Sequence, residues 1–553
     1  MTFAGASVNS EPKFGLNWGA LMQSAGAVAS NTGEVRALSA PRRPKSLVTL
    51  ALCAVALLVW GPDAAGAVPA AVSQNPWMSS NPWNNIHNDA AFTDSYSMPG
   101  PVGSSNVDVQ TFSQYTFQDP DTGQQISVNT GECPAHTYDA AGNLQTVCGG
   151  YPNPFTNDFV RSIITIDPNG NLLAYKSFVV PFTNIGTALT EFGGIGYFYQ
   201  DNDYRVVMGM PDGHIVAWER QPSQVSDVDH YVVARDINVT GSGGPLAGEN
   251  FYALVPNDQG YIWFTTSEGS VGTVAPEPCA TDCIKSLNVN QFNGGTIQER
   301  ISESHPVAGL STFQQTDYFM YRFDMAPDGS PEIAWKAPYD RGTGKKPGQT
   351  SWGSGTSPSF FKIGDREFVT IFDNAVTPHI VVYRAEKDLR PGEERLFAQA
   401  APFGDRTDVS DENSEIVLPG STPDSVRIYA ENNWGNESVL STAGPLMTAG
   451  GFGGIEVWSD GRVEVLPANH TISVPSIVSK GNAADNSIVT YEKRVDGWYL
   501  TALDAADLRQ VLWSAKVGGG EPRFNNWYAQ LSLAPGGYYT VGTLTGVTKV
   551  TPR

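Results

Sequence analysis

Five short clusters of carboxylates and amides stand out in the chain: Asn84-Asn85-Ile86-His87-Asn88-Asp89, Asp373-Asn374, Glu412-Asn413, Glu431-Asn432-Asn433 and Asn525-Asn526. Carboxylate oxygens beside amide oxygens are hard donors, the kind that Ca2+ takes. Asp373, Asn374, Glu412, Asn413, Glu431, Asn432 and Asn525 are therefore the expected ligand set. His87, His379 and Asp89 are the candidates for proton transfer. A bound cation would polarise a carbonyl while one of these groups activates water. Lactone or ester hydrolysis is the reaction class that follows.

A simpler reading stands beside each cluster. Asn and Asp are common turn residues, so a single doublet is explained by a turn. Glu412 and Glu431 are not turn-favoured, and they shift the set as a whole towards a shared site. A lone histidine is more often a hydrogen-bonded structural group than a base. The seven histidines show no zinc-protease spacing. Gly353-Ser354-Gly355-Thr356-Ser357-Pro358 is no phosphate loop, since no Lys follows, and it lacks the strand–helix setting of a nucleophile elbow. It reads as a tight loop before a strand at 359.

The clusters sit at the ends of strand-like runs. Such runs occur at 160–166, 204–210, 261–266, 368–372, 379–384, 426–430, 487–492 and 538–541, rich in Val, Ile, Tyr and Thr. Asp167-Pro168-Asn169-Gly170, Pro211-Asp212-Gly213, Pro327-Asp328-Gly329, Ser459-Asp460-Gly461 and Pro535-Gly536-Gly537 are hairpin turns. Helical periodicity is nearly absent. Short antiparallel strands must bury apolar faces and hide their edges, and radial repetition of four-stranded blades does both. The expectation is an all-β, seven- or eight-bladed β-propeller over 111–553 with an N-terminal arm over 68–110. A pair of β-sandwiches is the alternative. In a propeller, strand-end clusters from several blades would meet at one mouth of the central channel.

Three segments share a frame in which a strand ending in Asp leads, through a turn, to a strand bearing Trp or Tyr: Asp167 to Tyr175, Asp324 to Trp335, and Asp504 to Trp513. The last resembles the tryptophan-docking repeat of quinoprotein-type β-propellers. Ala502, Asp504 and Trp513 match, with Leu508-Arg509 in place of its Thr-Gly. That resemblance implies a Trp packed between neighbouring blades. The cluster composition also resembles gluconolactonase- and paraoxonase-type propellers, which implies a Ca2+ ion in the channel. In quinoprotein dehydrogenases the same ion would sit against pyrroloquinoline quinone (PQQ). The vicinal cysteine pair of the best-known quinoprotein alcohol dehydrogenases is missing here, which weakens the PQQ reading. A non-catalytic propeller that binds a ligand or a protein is the third reading.

The N-terminus reads as a leader and cleavable signal over 1–67. Arg42, Arg43 and Lys45 precede an apolar run at 47–60, too short for a membrane span of about 20 residues. Ala65-Gly66-Ala67 is a cleavage signature. Cys53 lies inside the apolar run behind Leu52, which argues against a lipid anchor. A secreted, periplasmic or cell-envelope protein is expected, with no stable membrane anchor after cleavage. Removing 1–67 takes away five basic and three acidic residues and leaves a net charge of −24. Nucleic acid and anionic membranes are poor partners for such a chain, and a small-molecule ligand is expected. Export makes disulfides the expected state of Cys133, Cys148, Cys279 and Cys283, paired locally, with a zinc site as the alternative.

Overall fold

The computed structural model describes residues 74–100, 106–149, 158–181, 196–279, 281–295, 297–301 and 303–553. All of them belong to one compact unit, Ala64–Arg553. The expected leader and signal lie outside the described residues.

Turn chemistry sets the hairpins. Asp167 Oδ1 accepts from the backbone N–H of Asn169 and of Asn171, both at 2.8 Å, and Gly170 supplies the left-handed φ of 91° that closes the turn. Asp139 and Asn257 hold the same kind of turn before Gly142 and Gly260. Between such turns the strands pair antiparallel and build eight four-stranded blades among the described residues. Their innermost strands are His136–Tyr138, Tyr199–Gln200, Phe251–Pro256, Val307–Ala308, Ser359–Ile363, Ile416–Pro419, Lys480–Asn482 and Leu531–Ala534. These blades are numbered one to eight below. Second strands such as Ser425–Glu431 are buried along their whole length, while outer strands such as Val511–Gly518 are half exposed.

The eighth blade closes the ring. Its outermost strand, Val107–Phe112, comes from the N-terminal side of the first blade and pairs in register with Gly546–Pro552. This strand is part of blade eight and straddles the boundary expected at 110 between arm and propeller. A separate hairpin, Gln114–Gln118 with Gln125–Asn129, covers the outer edges of blades one and two. Its turn is fixed by Lys176–Asp121 and by Ser223 and Ser226, which donate to Pro120 O and Gln118 O.

Aromatic side chains lock neighbouring blades together. Trp513 of blade seven meets Tyr539 of blade eight at 6.1 Å between ring centres, and Trp335 of blade four meets Tyr383 of blade five at 6.4 Å. Cys133–Cys148 and Cys279–Cys283 are both disulfide-bonded, as expected.

Residues 74–100 lie across the channel and touch the inner strand of every blade. Asn81 Nδ2 donates to Tyr138 O, Ser79 N to Gln200 O, and Asn75 Nδ2 to Pro256 O. Backbone bonds join Ala90 to Val307, Ala91 to Phe360, Thr93 to Val417 and Asp94 to Gly481. Trp83 Nε1 donates to Leu533 O of blade eight. Ser95–Tyr96 runs parallel to the inner strand of blade seven.

Candidate functional site

In antiparallel four-stranded blades, the loop between strands two and three and the loop entering the next blade lie at the same end. Asp373-Asn374 and Glu431-Asn432-Asn433 occupy loops of the first kind, in blades five and six. Glu412-Asn413 and Asn525-Asn526 occupy loops of the second kind, entering blades six and eight. All four clusters stand at one mouth of the channel.

Their side chains do different things there. Glu412, 7 % exposed, accepts on Oε2 from Thr350 N at 2.7 Å and Thr350 Oγ1 at 2.5 Å. Its Oε1 is buried with no hydrogen-bond partner in the protein. Burial raises its carboxyl to about 7, against the pull of the Thr350 hydrogen bonds and Lys345. Asn413 Nδ2 donates to Glu431 Oε2 at 2.8 Å, and Ser479 N donates to Glu431 Oε1. The backbone N–H of Glu431 in turn donates to Asp411 Oδ2. Burial, followed by the charge of Glu431, pushes the Asp411 carboxyl well above the usual carboxylate range.

The remaining amides tie loops together. Asn374 Nδ2 donates to Arg341 O and Gly344 O, Asn432 Nδ2 to Asp408 O and Gly450 O, and Asn525 Nδ2 to Val439 O. Asp373, buried, holds the partly exposed His379 through Oδ2···Nδ1 at 3.0 Å and Oδ1···N at 2.8 Å. The hydrogen bond to Asp373 raises the His379 imidazole.

His87 lies on the arm. Asp94 Oδ2 at 2.9 Å and Ser414 Oγ at 2.7 Å both meet its Nδ1. A serine–histidine–carboxylate relay needs serine and carboxylate on opposite nitrogens, so this group is not one. Asp94 also binds Lys480 Nζ, and the four residues fasten the arm to blades six and seven. Asp89 caps a turn of the arm, accepting from Ala91 N and from Thr93 N and Oγ1. Among the described residues, no three His, Cys, Asp or Glu side chains gather as a shared metal ion requires.

Several residues of the mouth were not singled out in the sequence. Glu303, in the loop entering blade four, is 4 % exposed and accepts on Oε2 from Tyr197 OH at 2.7 Å. Burial, then the charge of Glu412, hold its carboxyl well above the usual range. Tyr252 and Tyr528 both feel the charges of Glu303 and Glu412, and burial raises both phenols. Tyr528 adopts φ 48°, strained for a bulky residue, and donates to Gly348 O at 2.7 Å. Ser351 Oγ is buried without a partner in the protein. Asp411 and Glu415 had a visible signal, since Asp411-Glu412-Asn413-Ser414-Glu415 puts three carboxylates in five residues. Glu303 and the tyrosines stand alone in sequence and had none.

No family model matches the chain. An uncharacterised protein of Archaeoglobus fulgidus is 24% identical over 324 residues, covering 55% of this chain and 61% of that protein. Solved structures that align with it are propellers. Streptogramin B lyase aligns over 81% of this chain and 98% of its own, at 10% identity and TM-score 0.34. Chaetomium thermophilum Sqt1 covers 80% and 98% at 11% identity and TM-score 0.45. Moraxella catarrhalis BamB covers 63% and 93% at 12% identity and TM-score 0.29. Likenesses this loose carry no functional weight. The chain is an eight-bladed propeller by its own strand order.

Proposed function

We propose that this is an exported propeller that binds a small polar ligand at the channel mouth. The observation that carries this reading is the pair of orphaned polar atoms there: Glu412 Oε1 and Ser351 Oγ. Buried polar groups cost stability unless they are hydrogen-bonded, and a ligand would supply the partners. Export is supported by the two disulfides, which persist in oxidising compartments. The test is ligand-observed NMR on the full chain with a panel of small polar metabolites. A binder whose signal is lost in Gly355→Ala supports the reading. Failure of the whole panel, or binding indifferent to Gly355→Ala, counts against it.

A second reading is hydrolysis at the same mouth, favoured by one observation. Glu412, with its carboxyl near 7, carries its charge close to Glu303, whose carboxyl burial pushes well above the usual carboxylate range. A carboxylate next to a carboxylic acid is what acid–base hydrolysis of a lactone or ester uses. Turnover of simple lactones, lost in Glu412→Gln, would support it. The same assay with added Ca2+ separates a cation-assisted reaction from a purely acid–base one.

A further inference from the structure

The walls of the mouth narrow the ligand class, on the footing that the mouth is a binding site. We propose that the group received there is an alkylammonium or quaternary ammonium cation, held against the rings of Tyr252 and Tyr528 between the carboxyls of Glu303 and Glu412.

Four features of the mouth support this. First, the rings are more exposed than the carboxyls. Tyr252 and Tyr528 are half-buried, whereas Glu303 and Glu412 are buried, 4 % and 7 % exposed. Partly exposed aromatic rings with buried carboxyls near them are the ingredients of an aromatic cage for a cation.

Second, the carboxyls have little positive charge to balance them. Glu303 faces Tyr197, Ser357 and Glu412, none of them cationic. Glu412 faces Thr350, Ser351, Tyr252, Tyr528 and Lys345. Lys345 is the one cation among these, and its Nζ is engaged with Thr350 O at the exposed rim. Asp94, by contrast, is balanced by Lys480. A buried carboxyl pair without such a partner either keeps protons or takes a cation.

Third, the ring wall is braced. Phe92 and His87 stand 4.6 Å apart, His87 and Tyr197 6.3 Å, and Tyr197 and Tyr252 5.7 Å between ring centres. This column runs from the arm to the mouth and ends on Tyr252. Trp527 abuts Tyr528 edge-on at 5.0 Å.

Fourth, the donor set does not suit a bare metal ion. No three acidic or histidine side chains converge among the described residues, and aromatic faces offer a small hydrated ion nothing that water does not. A large, weakly hydrated ammonium is the cation such walls favour.

The test is isothermal titration of the full chain with choline chloride and, in parallel, with its uncharged carbon isostere 3,3-dimethyl-1-butanol. Choline is expected to bind at least about tenfold more tightly than the isostere. Glu412→Gln should weaken choline about tenfold and leave the isostere unchanged. Tyr252→Leu should weaken choline, while Tyr252→Phe, which keeps the ring, should not. Matching thermal melts of the variants guard against misfolding. Choline affinity should also rise from pH 6 to pH 8, because the arriving cation displaces a proton from Glu412. Equal binding of choline and isostere, or indifference to Glu412→Gln, overturns the proposal. A neutral ligand that loses affinity in Gly355→Ala would leave the mouth a binding site and remove only the ammonium. Absence of any binder would remove both.

Discussion

The carboxylate of Glu412 rests on the Cα of Gly355. A Cβ built on that glycine would stand 1.8 Å from Glu412 Oε1 and 2.4 Å from its carboxyl carbon. The glycine-rich loop entering blade five is thus the seat of the glutamate that enters blade six.

Gly355→Ala should therefore expel the carboxylate and break its two bonds to Thr350. The expected cost is about 1–3 kcal/mol, the range for overpacking a well-filled site. Urea unfolding measures it, and ligand binding should fall in the same variant.

Stability should decline as pH rises from acid to mildly alkaline. Burial raises the Glu415 carboxyl to about 8 and that of Glu412 to about 7. A carboxyl raised in the folded state favours folding fully below its unfolded value of about 4.3, and that contribution is lost as pH rises through the folded value. Glu415→Gln should flatten the curve between about pH 4.5 and 8. The gain at pH 8 should be at most on the order of 5 kcal/mol, with little change at pH 4. Thermal melts of both proteins across that window read it directly.

The arm should depend on one buried ion pair. Burial opposes ionisation of Asp94, yet Lys480 and His87 outweigh it and hold its carboxyl below the usual range. Asp94→Asn leaves Lys480 buried and unpaired and should cost about 3–5 kcal/mol. Asp94→Asn with Lys480→Met should recover part of that loss. If the single variant melts like the parent, the clamp is not what holds the arm.

The two disulfides should differ sharply in effect. Cys133–Cys148 closes 15 residues and is fully buried, so replacing both cysteines with serine should cost about 3 kcal/mol. Cys279–Cys283 closes only four residues on an exposed turn, and its loss should cost distinctly less. Denaturation of the two double-serine variants ranks them.

Much of the fold is legible in the sequence because its signals are local. The run at 368–372 is a strand, and the turn at Asp167 forms around Gly170, because both depend on neighbours a few residues away. Blade number is different. It depends on Val107–Phe112 finding Gly546–Pro552 across the whole chain, and no local pattern announces that pairing. The site divides in the same way. Glu412 and Glu431 stood out because turn chemistry does not explain a glutamate. Glu303 and Tyr528, 225 residues apart, become neighbours only once the ring exists. His87 looked like a base in sequence, and the residue that shares its Nδ1, Ser414, lies 327 positions away.

The strand that seals the ring and the arm that fills its bore are consecutive in sequence. Val107–Phe112 is synthesised before seven blades and cannot find its partner until Gly546–Pro552 appears. Assembly is therefore settled at its last step, with the spindle laid down first and the wheel built around it. Any interruption before the final strand leaves a threaded but open ring, with the edge of blade eight unprotected. Completion of the chain, rather than the stability of any single blade, then decides whether the mouth exists at all.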